Sequence, residues 1–302
     1  MDLHALQPRG LAVADAIART GSVRAAATVL GLAPSAATVA LADLEALVGL
    51  ALFERLPRGM RPTAAGELVI AEARSQRQRL DRLASDLDAL AGLRRGHVTI
   101  AAVEAVAESL LPEAILAFRA RHAGVGFSTV ILPAEQAAAA VADDRAEVGL
   151  VFNPPARAEL QVLAARDEPL CALVAPNHPL ASRASVRLVE CLAYPLALPD
   201  RTSGVRPLME AFLAGASQRL EPAIESSSFA VLIAFARSGQ GVAFQILPGV
   251  AHAVADGAVL AIPLSDPALF RGRLEVLTRR GRALPLAAAE FATLLGDQVL
   301  NG

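Results

Sequence analysis

The pattern of apolar and polar positions begins with short helices separated by glycines. Ser22 precedes "VRAAATVL", Gly31 follows it, and "PSAATVALADLEALV" then runs to Gly49. A serine before a helix and a glycine after it are the capping residues that backbone geometry prefers. Two helices joined by a short glycine-containing turn predict a helix-turn-helix unit.

The next stretch, "LALFERLPRGMRPT", favours a β-wing over a further helix. Pro57, Gly59 and Pro62 interrupt any helical pattern there. The stretch also carries a group of basic side chains, namely Arg55, Arg58 and Arg61.

From Thr63 onward the apolar positions follow a heptad spacing of four and three residues. The pattern predicts one helix over 63–91, about 40 Å long at ~1.5 Å per residue. A narrow stripe on so long a helix needs a partner, either its own domain or a second copy, and we favour dimerisation. The stripe consists of Val69, Ala73, Gln76, Leu80, Leu83, Leu87 and Leu90, with Gln76 as its polar member.

After Gly92 and Gly96 the chain alternates between short apolar runs and helical patterns. "HVTIAAV", "VGFSTVIL", "EVGLVFN", "LCALVAP", "YPLALP", "GVAFQIL" and "GRLEVLTRR" are predicted strands. Such alternation indicates an α/β domain with a mainly parallel sheet. The order of the elements predicts two lobes, with the chain crossing between them near 163–166 and 264–268.

Composition and charge narrow the class of protein. The chain has 302 residues, of which 54% are hydrophobic and 19% charged, so it can fold several domains with apolar cores. No apolar run reaches the length of a bilayer span, and the N-terminus lacks an apolar signal core, so a cytoplasmic location is expected. The net charge of −2 excludes a uniformly basic nucleic-acid binder.

No pattern of catalytic or metal-binding residues emerges. The five histidines are scattered, and "GQG" near 239 falls far short of a dinucleotide fingerprint. Cys171 and Cys191 lie in apolar surroundings without a CxxC-like spacing, so we interpret them as buried reduced thiols. We therefore expect neither an enzyme nor a metal site, and no cofactor.

The ordered set of motifs resembles the LysR-type transcriptional regulators along essentially the whole chain. The residues that carry the resemblance in the first hundred are "GSVRAAATVLGL", "DLE" at 43–45, "LFER" at 52–55 and "RPTAAGE" at 61–67. Farther along, "LLPEAILAFRARH", "APNHPLA" and "ARSGQGVAF" match as well. Each motif alone is weak, but their order over 300 residues is specific.

The resemblance implies an α+β multidomain protein with a winged helix-turn-helix over 1–62, a linker and dimerisation helix over 63–91, and an effector-binding domain over 92–302. That domain would have two α/β lobes like a type 2 periplasmic binding protein, lobe 1 at about 92–163 and 268–302 and lobe 2 at about 164–267. The implied partners are promoter double-stranded DNA, a small-molecule effector and further copies in a dimer or tetramer, with RNA polymerase open as another.

The recognition helix departs from the family pattern. Family members usually carry polar Ser, Arg and Gln on this helix, whereas here the helix offers no amide or guanidinium between residues 34 and 42. Bidentate contacts from such groups each give about 1–3 kcal/mol of base discrimination. We therefore expect a T/A-rich, shape-weighted preference, with decayed specificity as the alternative. The candidate DNA-binding residues are Ser22, Ser35, Thr38, Val39, Arg55, Arg58 and Arg61.

The expected effector cleft departs from the family as well. Family members usually place a Ser or Thr after the first strand of this domain, where it can bind an inducer carboxylate at a helix N-terminus. Here those positions read Glu104 and Ala105. If Glu104 faces the cleft, a neutral or cationic effector is favoured; otherwise it points to solvent or stabilises a helix N-terminus. The candidate effector residues are Glu104, Ala105, Phe152, Asn153, Thr202, Ser203, Ser227, Phe229 and Gln245.

Two other classes of protein share parts of this pattern. A solute-binding transport component would share the two lobes but would need a signal segment and no helix-turn-helix. A constitutive architectural DNA-binding protein with an empty cleft remains open as the alternative function.

Overall fold

The structure is a computed structural model. It describes residues 8–56, 59–90, 96–214, 219–266 and 272–301. The chain divides into two compact units, residues 1–84 and 85–302.

The first unit is a three-helix cluster with a two-stranded wing. Its core is alanine-rich and includes Leu11, Ile17, Leu41 and Leu52, all buried. The small alanine side chains let the three helices approach one another closely. The close approach fills the core to the usual packing density without large residues. The elements are α1 (Pro8–Thr20), α2 (Val23–Val29), α3 (Pro34–Val48), β1 (Phe53–Leu56), β2 (Gly59–Pro62) and α4 (Ala64–Leu90).

The wing and α4 are fixed to this unit by side-chain hydrogen bonds. The Glu45 carboxylate accepts the Leu52 N–H at 2.7 Å, just before β1. Thr63 caps α4, because its Oγ1 accepts the Gly66 N–H at 3.0 Å and donates to the Ala51 carbonyl at 2.7 Å.

A buried carboxylate joins α1 to α4. Asp15 is nearly inaccessible and makes ion pairs with three guanidinium groups. These belong to Arg74 at 2.8 Å, Arg77 at 3.0 Å and Arg19 at 3.3 Å. A buried charge is tolerated only when it is paired. The ion pairs of Asp15 with Arg74 and Arg77 therefore hold α4 against α1.

The second unit contains two five-stranded sheets. In chain order its elements are β3 (Gly96–Ala102), α5 (Leu110–Arg121), β4 (Val125–Ile131), α6 (Ala134–Ala142), β5 (Val148–Phe152), β6 (Leu160–Asp167), β7 (Leu170–Val174), α7 (Leu188–Cys191), β8 (Leu196–Pro199), α8 (Val205–Leu213), β9 (Pro222–Ser226), α9 (Phe229–Arg237), β10 (Val242–Ile246), α10 (Ala251–Ala255), β11 (Leu260–Pro263), β12 (Arg273–Arg279) and α11 (Leu286–Asn301).

The two sheets define two lobes. The first has the strand order β4-β3-β5-β12-β6 and the second the order β11-β7-β10-β8-β9. The chain crosses between them after Asp167 and again before Arg273, so β6 lies wholly in the first lobe and the crossing expected at 163–166 is placed too early.

The expectation of mainly parallel sheets is wrong. In each sheet two neighbouring pairs are parallel and two are antiparallel. The reason lies in the crossings: β12 returns from the other lobe and begins beside the carboxyl end of β5, where Leu274 pairs with Phe152. A strand that enters at the end of its neighbour must run in the opposite direction.

Candidate DNA-binding face and effector cavity

Helix α3 presents a small, weakly polar surface. Its N-terminal half exposes Ser35, Thr38 and Val39, the last with 58% of its surface accessible. Pro34 occupies the first turn, and Gly49 ends the helix in the left-handed region at φ 75°. The helix thus has ordinary start and stop signals but offers no amide or guanidinium group to a base.

Two hydroxyl groups of this region, those of Ser22 and Thr38, are engaged with their own backbone. Ser22 Oγ accepts the Ala25 N–H at 3.1 Å and caps α2, while Thr38 Oγ1 donates to the Pro34 carbonyl at 3.0 Å. With its proton committed inside the helix, Thr38 offers DNA an acceptor and a methyl group. Direct readout by α3 is therefore limited to the Ser35 hydroxyl and to apolar contact with thymine methyl groups.

The wing arginines do not form one cluster. Arg55 pairs across the sheet with Met60, and Glu54 pairs with Arg61. Because successive side chains alternate between faces, Arg55 and Arg61 lie on opposite faces of the wing. Arg61 also makes an ion pair with Glu54 at 2.8 Å. Arg58 lies outside the described residues.

Two further arginines are candidates that sequence reasoning missed. Among the described residues, no acidic side chain lies within ion-pair distance of Arg9, Arg24 or Arg55. Arg9 lines an open groove together with Ser35 and Val39. Little in the sequence indicates a DNA-binding role for Arg9 or Arg24. Each is a single arginine on a helix other than the recognition helix.

A cavity of about 300 Å³ lies between the two lobes of the second unit. Seven of the nine candidate effector residues line it, namely Glu104, Ala105, Phe152, Thr202, Ser203, Ser227 and Phe229. Val103, Ile131, Leu132, Pro133, Ala134, Asp200, Gly204 and Val205 complete the wall.

Glu104 joins the two lobes across this cavity. Its Oε1 accepts the Phe229 N–H at 2.9 Å, at the start of α9 in the second lobe. Burial raises the pKa of this carboxyl above its ordinary value; the hydrogen bond from Phe229 opposes the shift, and the nearby Glu108 adds to it. Glu104 therefore both lines the cavity and stabilises a helix N-terminus, although the helix belongs to the opposite lobe.

Two other contacts hold the lobes together. Ser109 Oγ donates to the Pro248 carbonyl at 2.6 Å. Gly204, at the start of α8, approaches the end of β5 so closely that a Cβ there would lie 2.3 Å from the Phe152 carbonyl oxygen. Only glycine fits this approach, because the obstacle is backbone.

Two candidate residues lie elsewhere. Gln245 is completely buried in the centre of the second sheet, where its Oε1 accepts the Ile246 N–H, so the prediction that it faces the cleft is wrong. It stands on a strand whose five residues are all buried. Asn153 lines an adjoining groove rather than the cavity, and its Oδ1 accepts the Arg273 N–H at 3.1 Å.

Helix capping is an alternative role for the hydroxyl side chains of the cavity wall. Ser203 Oγ does accept the Val205 N–H at 3.2 Å, but the N-cap of α9 is Ser228 rather than Ser227. Thr202 donates its hydroxyl to Asp200 at 2.6 Å, and its N–H bonds the same oxygen. Asp200 is the lining carboxylate that sequence reasoning missed, since it reads as an ordinary turn residue.

Comparison with known proteins decides the class. The family described as "Bacterial regulatory helix-turn-helix protein, lysR family" matches residues 8–67, and "LysR substrate binding domain" matches residues 91–300. The chain belongs to the LysR family of bacterial transcriptional regulators. It is a DNA-binding regulator with an effector-binding domain.

Relatives and solved structures of the LysR family match nearly the whole chain. An uncharacterized HTH-type transcriptional regulator of Mycobacterium tuberculosis is 36% identical over 289 residues, 90% of each chain. A full-length OxyR variant of Pseudomonas aeruginosa has a TM-score of 0.75 at 19% identity, over 99% of this chain and 96% of that one. CbnR, a LysR family regulator solved with its target DNA, has a TM-score of 0.67 at 18% identity, over 97% and 100%.

The cysteines of this LysR family member are buried free thiols, as expected. Burial raises the pKa of Cys171 to about 11 and that of Cys191 to about 12, and nearby carboxylates add to both shifts. Because the thiolate is the reactive form, neither side chain is suited to rapid thiol chemistry.

Neither a metal-binding cluster nor a membrane-spanning helix is found in the described part of the chain. No three His, Cys, Asp or Glu side chains of those ranges form a group that could hold a metal ion. No single described helix is long and apolar enough to cross a bilayer. The bent pair α2 and α3, which meet at 111°, reaches the required length and composition only when counted together.

Proposed function

We propose that this regulator binds a small-molecule effector in the interlobe cavity, and that closure of the lobes on it changes how paired helix-turn-helix units hold and bend a promoter. The Glu104–Phe229 hydrogen bond is the observation that carries this proposal. This hydrogen bond connects the two lobes at the wall of the cavity. A ligand in the cavity would therefore contact Glu104, a side chain that already links one lobe to the other.

The effector-binding set we propose is the seven predicted residues of the wall together with Asp200. A ligand that binds only the folded protein raises its melting temperature as the ligand concentration increases. Ala105→Leu should fill the cavity and abolish such shifts, whereas Ala107→Leu, just outside the wall, should retain them. Screening both variants with small metabolites checks this, and shifts that survive in Ala105→Leu would place the ligand elsewhere.

For the DNA face we propose a T/A-rich, shape-weighted preference. Ser22, Ser35, Thr38 and Val39 would contact the duplex over α2 and α3, with Arg55 binding phosphate or a narrow minor groove. Selection from random duplexes tests the preference: T/A-rich enrichment is expected, and a consensus that reads guanine would contradict it.

The two described wing arginines give a matched pair. Arg55→Ala should weaken binding to all duplexes several-fold and lower the salt dependence by about one counterion, because Arg55 has no acidic partner among the described residues. Arg61→Ala should have a smaller effect, because Glu54 already neutralises Arg61. Fluorescence anisotropy at several salt concentrations measures both, and equal losses would remove the distinction.

We propose self-association along the stripe of α4. Leu80 and Leu83 are 63% and 54% exposed within one chain, and burial of both by a second copy would remove this apolar surface from water. A dimer, or a tetramer built from it, would multiply weak contacts over several half-sites. RNA polymerase at the promoter and a cytoplasmic location complete the proposal, and we assign no catalytic reaction.

The alternative is a constitutive architectural DNA-binding protein whose cavity stays empty. The cavity itself favours the effector-responsive function. If no metabolite shifted the melting temperature and Ala105→Leu left promoter binding and bending unchanged, the alternative would replace it.

A further inference from the structure

The wall of the interlobe cavity carries negative charge and no positive charge among the described residues. Its two ionisable side chains are carboxylates, Glu104 on the first lobe and Asp200 on the second. The remaining polar side chains are hydroxyls. The apolar part of the wall is large and includes Val103, Ile131, Leu132, Pro133, Phe152, Val205 and Phe229.

The nearby guanidinium groups are committed elsewhere. Arg201 is 76% exposed and pairs with Glu210 at 3.3 Å. Arg206 is buried, with 4% of its side chain accessible, and binds Glu210 at 2.9 Å and Glu225 at 3.0 Å. Neither side chain lines the cavity, so neither is placed to receive an anionic ligand.

Both lining carboxylates keep unused acceptor capacity. A carboxylate has about four lone-pair positions. Glu104 accepts the Phe229 N–H at Oε1 and also a hydrogen bond from the Ser228 side chain, and Asp200 uses Oδ1 for the N–H and hydroxyl of Thr202. Among the described residues neither carboxylate has an arginine or histidine partner in a salt bridge, so a cation in the cavity would meet two incompletely satisfied carboxylates.

We infer that the effector is a small organic ammonium with an apolar body, bound by Glu104 and Asp200 at its charged end and by the apolar wall at the other. This inference rests on the proposed effector function of the cavity. A cation bound by carboxylates from opposite lobes contacts both lobes at once, so its binding favours closure of the lobes.

Size and polarity favour this class over polyols and acids. The cavity has the liquid volume of roughly ten water molecules, which suits a molecule of a similar number of heavy atoms. A polyol would leave hydroxyls against the apolar wall without partners, and a carboxylate ligand would face two negative groups. A hydrocarbon body that carries an ammonium group places the charge beside the two carboxylates and the hydrocarbon against the apolar residues.

Three aromatic probes of similar size separate the charge classes: phenethylamine, phenethyl alcohol and phenylacetate. Isoamylamine and isovalerate provide the same comparison with an aliphatic body. Calorimetric titration of the full chain should show each amine binding at least about tenfold more tightly than its neutral or anionic counterpart, because charge-assisted hydrogen bonds form only with the ammonium.

Substitutions then locate the charge preference. Glu104→Gln and Asp200→Asn keep an acceptor for the internal hydrogen bonds but remove a charge, and each should reduce the preference for the amine severalfold. Glu108→Gln is the matched control, since Glu108 is a nearby carboxylate that does not line the cavity. It should leave the preference nearly unchanged.

Each outcome decides the inference. Equal or tighter binding of phenylacetate or isovalerate, an amine preference unchanged in both Glu104→Gln and Asp200→Asn, or no saturable binding of either amine would overturn it. Promoter binding measured on the same samples reports separately on the proposed function. If phenylacetate bound in the cavity and altered promoter affinity, the effector function would stand while the ammonium class would fall.

Discussion

The surface of α3 and the wall of the interlobe cavity use polar groups in opposite ways. On α3 the Thr38 hydroxyl is turned back into its own helix, so the exposed surface of the N-terminal half is mostly methyl groups beside the Ser35 hydroxyl. In the cavity, Glu104 and Asp200 keep acceptor capacity facing a space that could hold a ligand. If both proposals hold, chemical selectivity in this regulator lies mainly in the cavity, and its DNA contacts supply mostly shape and charge.

The largest expected effect comes from adding one methyl group where the lobes meet. Gly204→Ala would place a Cβ 2.3 Å from the Phe152 carbonyl oxygen, and forcing the backbone apart should cost about 1–3 kcal/mol of stability. The same change in the DNA-binding unit, Gly10→Ala, meets its neighbours at 3.4 Å or more in a helix, so it should be neutral or stabilising by up to about 1 kcal/mol.

Thermal and urea unfolding of the full chain measure both glycine variants. Gly204→Ala should also reduce small-molecule binding in the cavity, because the lobes cannot close to the same distance. A Gly204→Ala protein as stable as the unaltered chain would mean that the lobe contact is not tightly packed, and the contrast between the two regions would weaken.

A smaller effect, of opposite sense, is expected on α3. Val39→Arg introduces a guanidinium group into the N-terminal half of the recognition helix. The affinity for guanine-containing duplexes should then rise about tenfold more than the affinity for matched duplexes that contain only A/T pairs. Ala46→Arg is the matched control, with the same charge on the same face two turns later, and should strengthen all duplexes alike. Anisotropy titrations distinguish the two, and identical behaviour would show that α3 does not approach base edges.

The order of the domains and the central strands could be predicted from the sequence, whereas of the four edge strands in the two five-stranded sheets only β4 was predicted. The strands β6, β9 and β11 were not predicted, and all three lie at the edges of their sheets. Edge strands are buried on fewer sides and lack a continuous apolar run, as the mostly exposed β9 shows. Central strands such as β5, β7 and β10 are buried at every position and were found.

Residue roles at the sites depended on information that a linear pattern does not contain. The pairing of Glu54 with Arg61 follows from strand register, and the bond from Glu104 to Phe229 joins residues 125 positions apart. Gln245 lies inside the predicted strand "GVAFQIL", but its polar side chain suggested a cleft position, whereas every residue of this strand is buried in the sheet. Helix caps and turns, which are local, were predicted more successfully.

The smallest expected effect tests whether the Glu104 charge is unfavourable in the folded chain. Because burial raises its pKa in the folded state, Glu104 makes a contribution to stability that is complete below its ordinary pKa of 4.5 and is lost as the pH rises through the higher folded value. Glu104→Gln keeps an acceptor for the Phe229 N–H and removes this dependence. Relative to the unaltered chain, its melting temperature should therefore rise slightly between pH 4.5 and neutrality.

Glu190 provides a control of opposite sign. A backbone hydrogen bond from Arg187 lowers its pKa, so its contribution is present at neutral pH and is lost as the pH falls through the folded value. Glu190→Gln should therefore lower the melting temperature near neutrality and have less effect in acid. Parallel curves for the two variants in differential scanning fluorimetry would contradict the assignment. A carboxylate whose charge is disfavoured by burial and one whose charge is favoured by a hydrogen bond require opposite slopes.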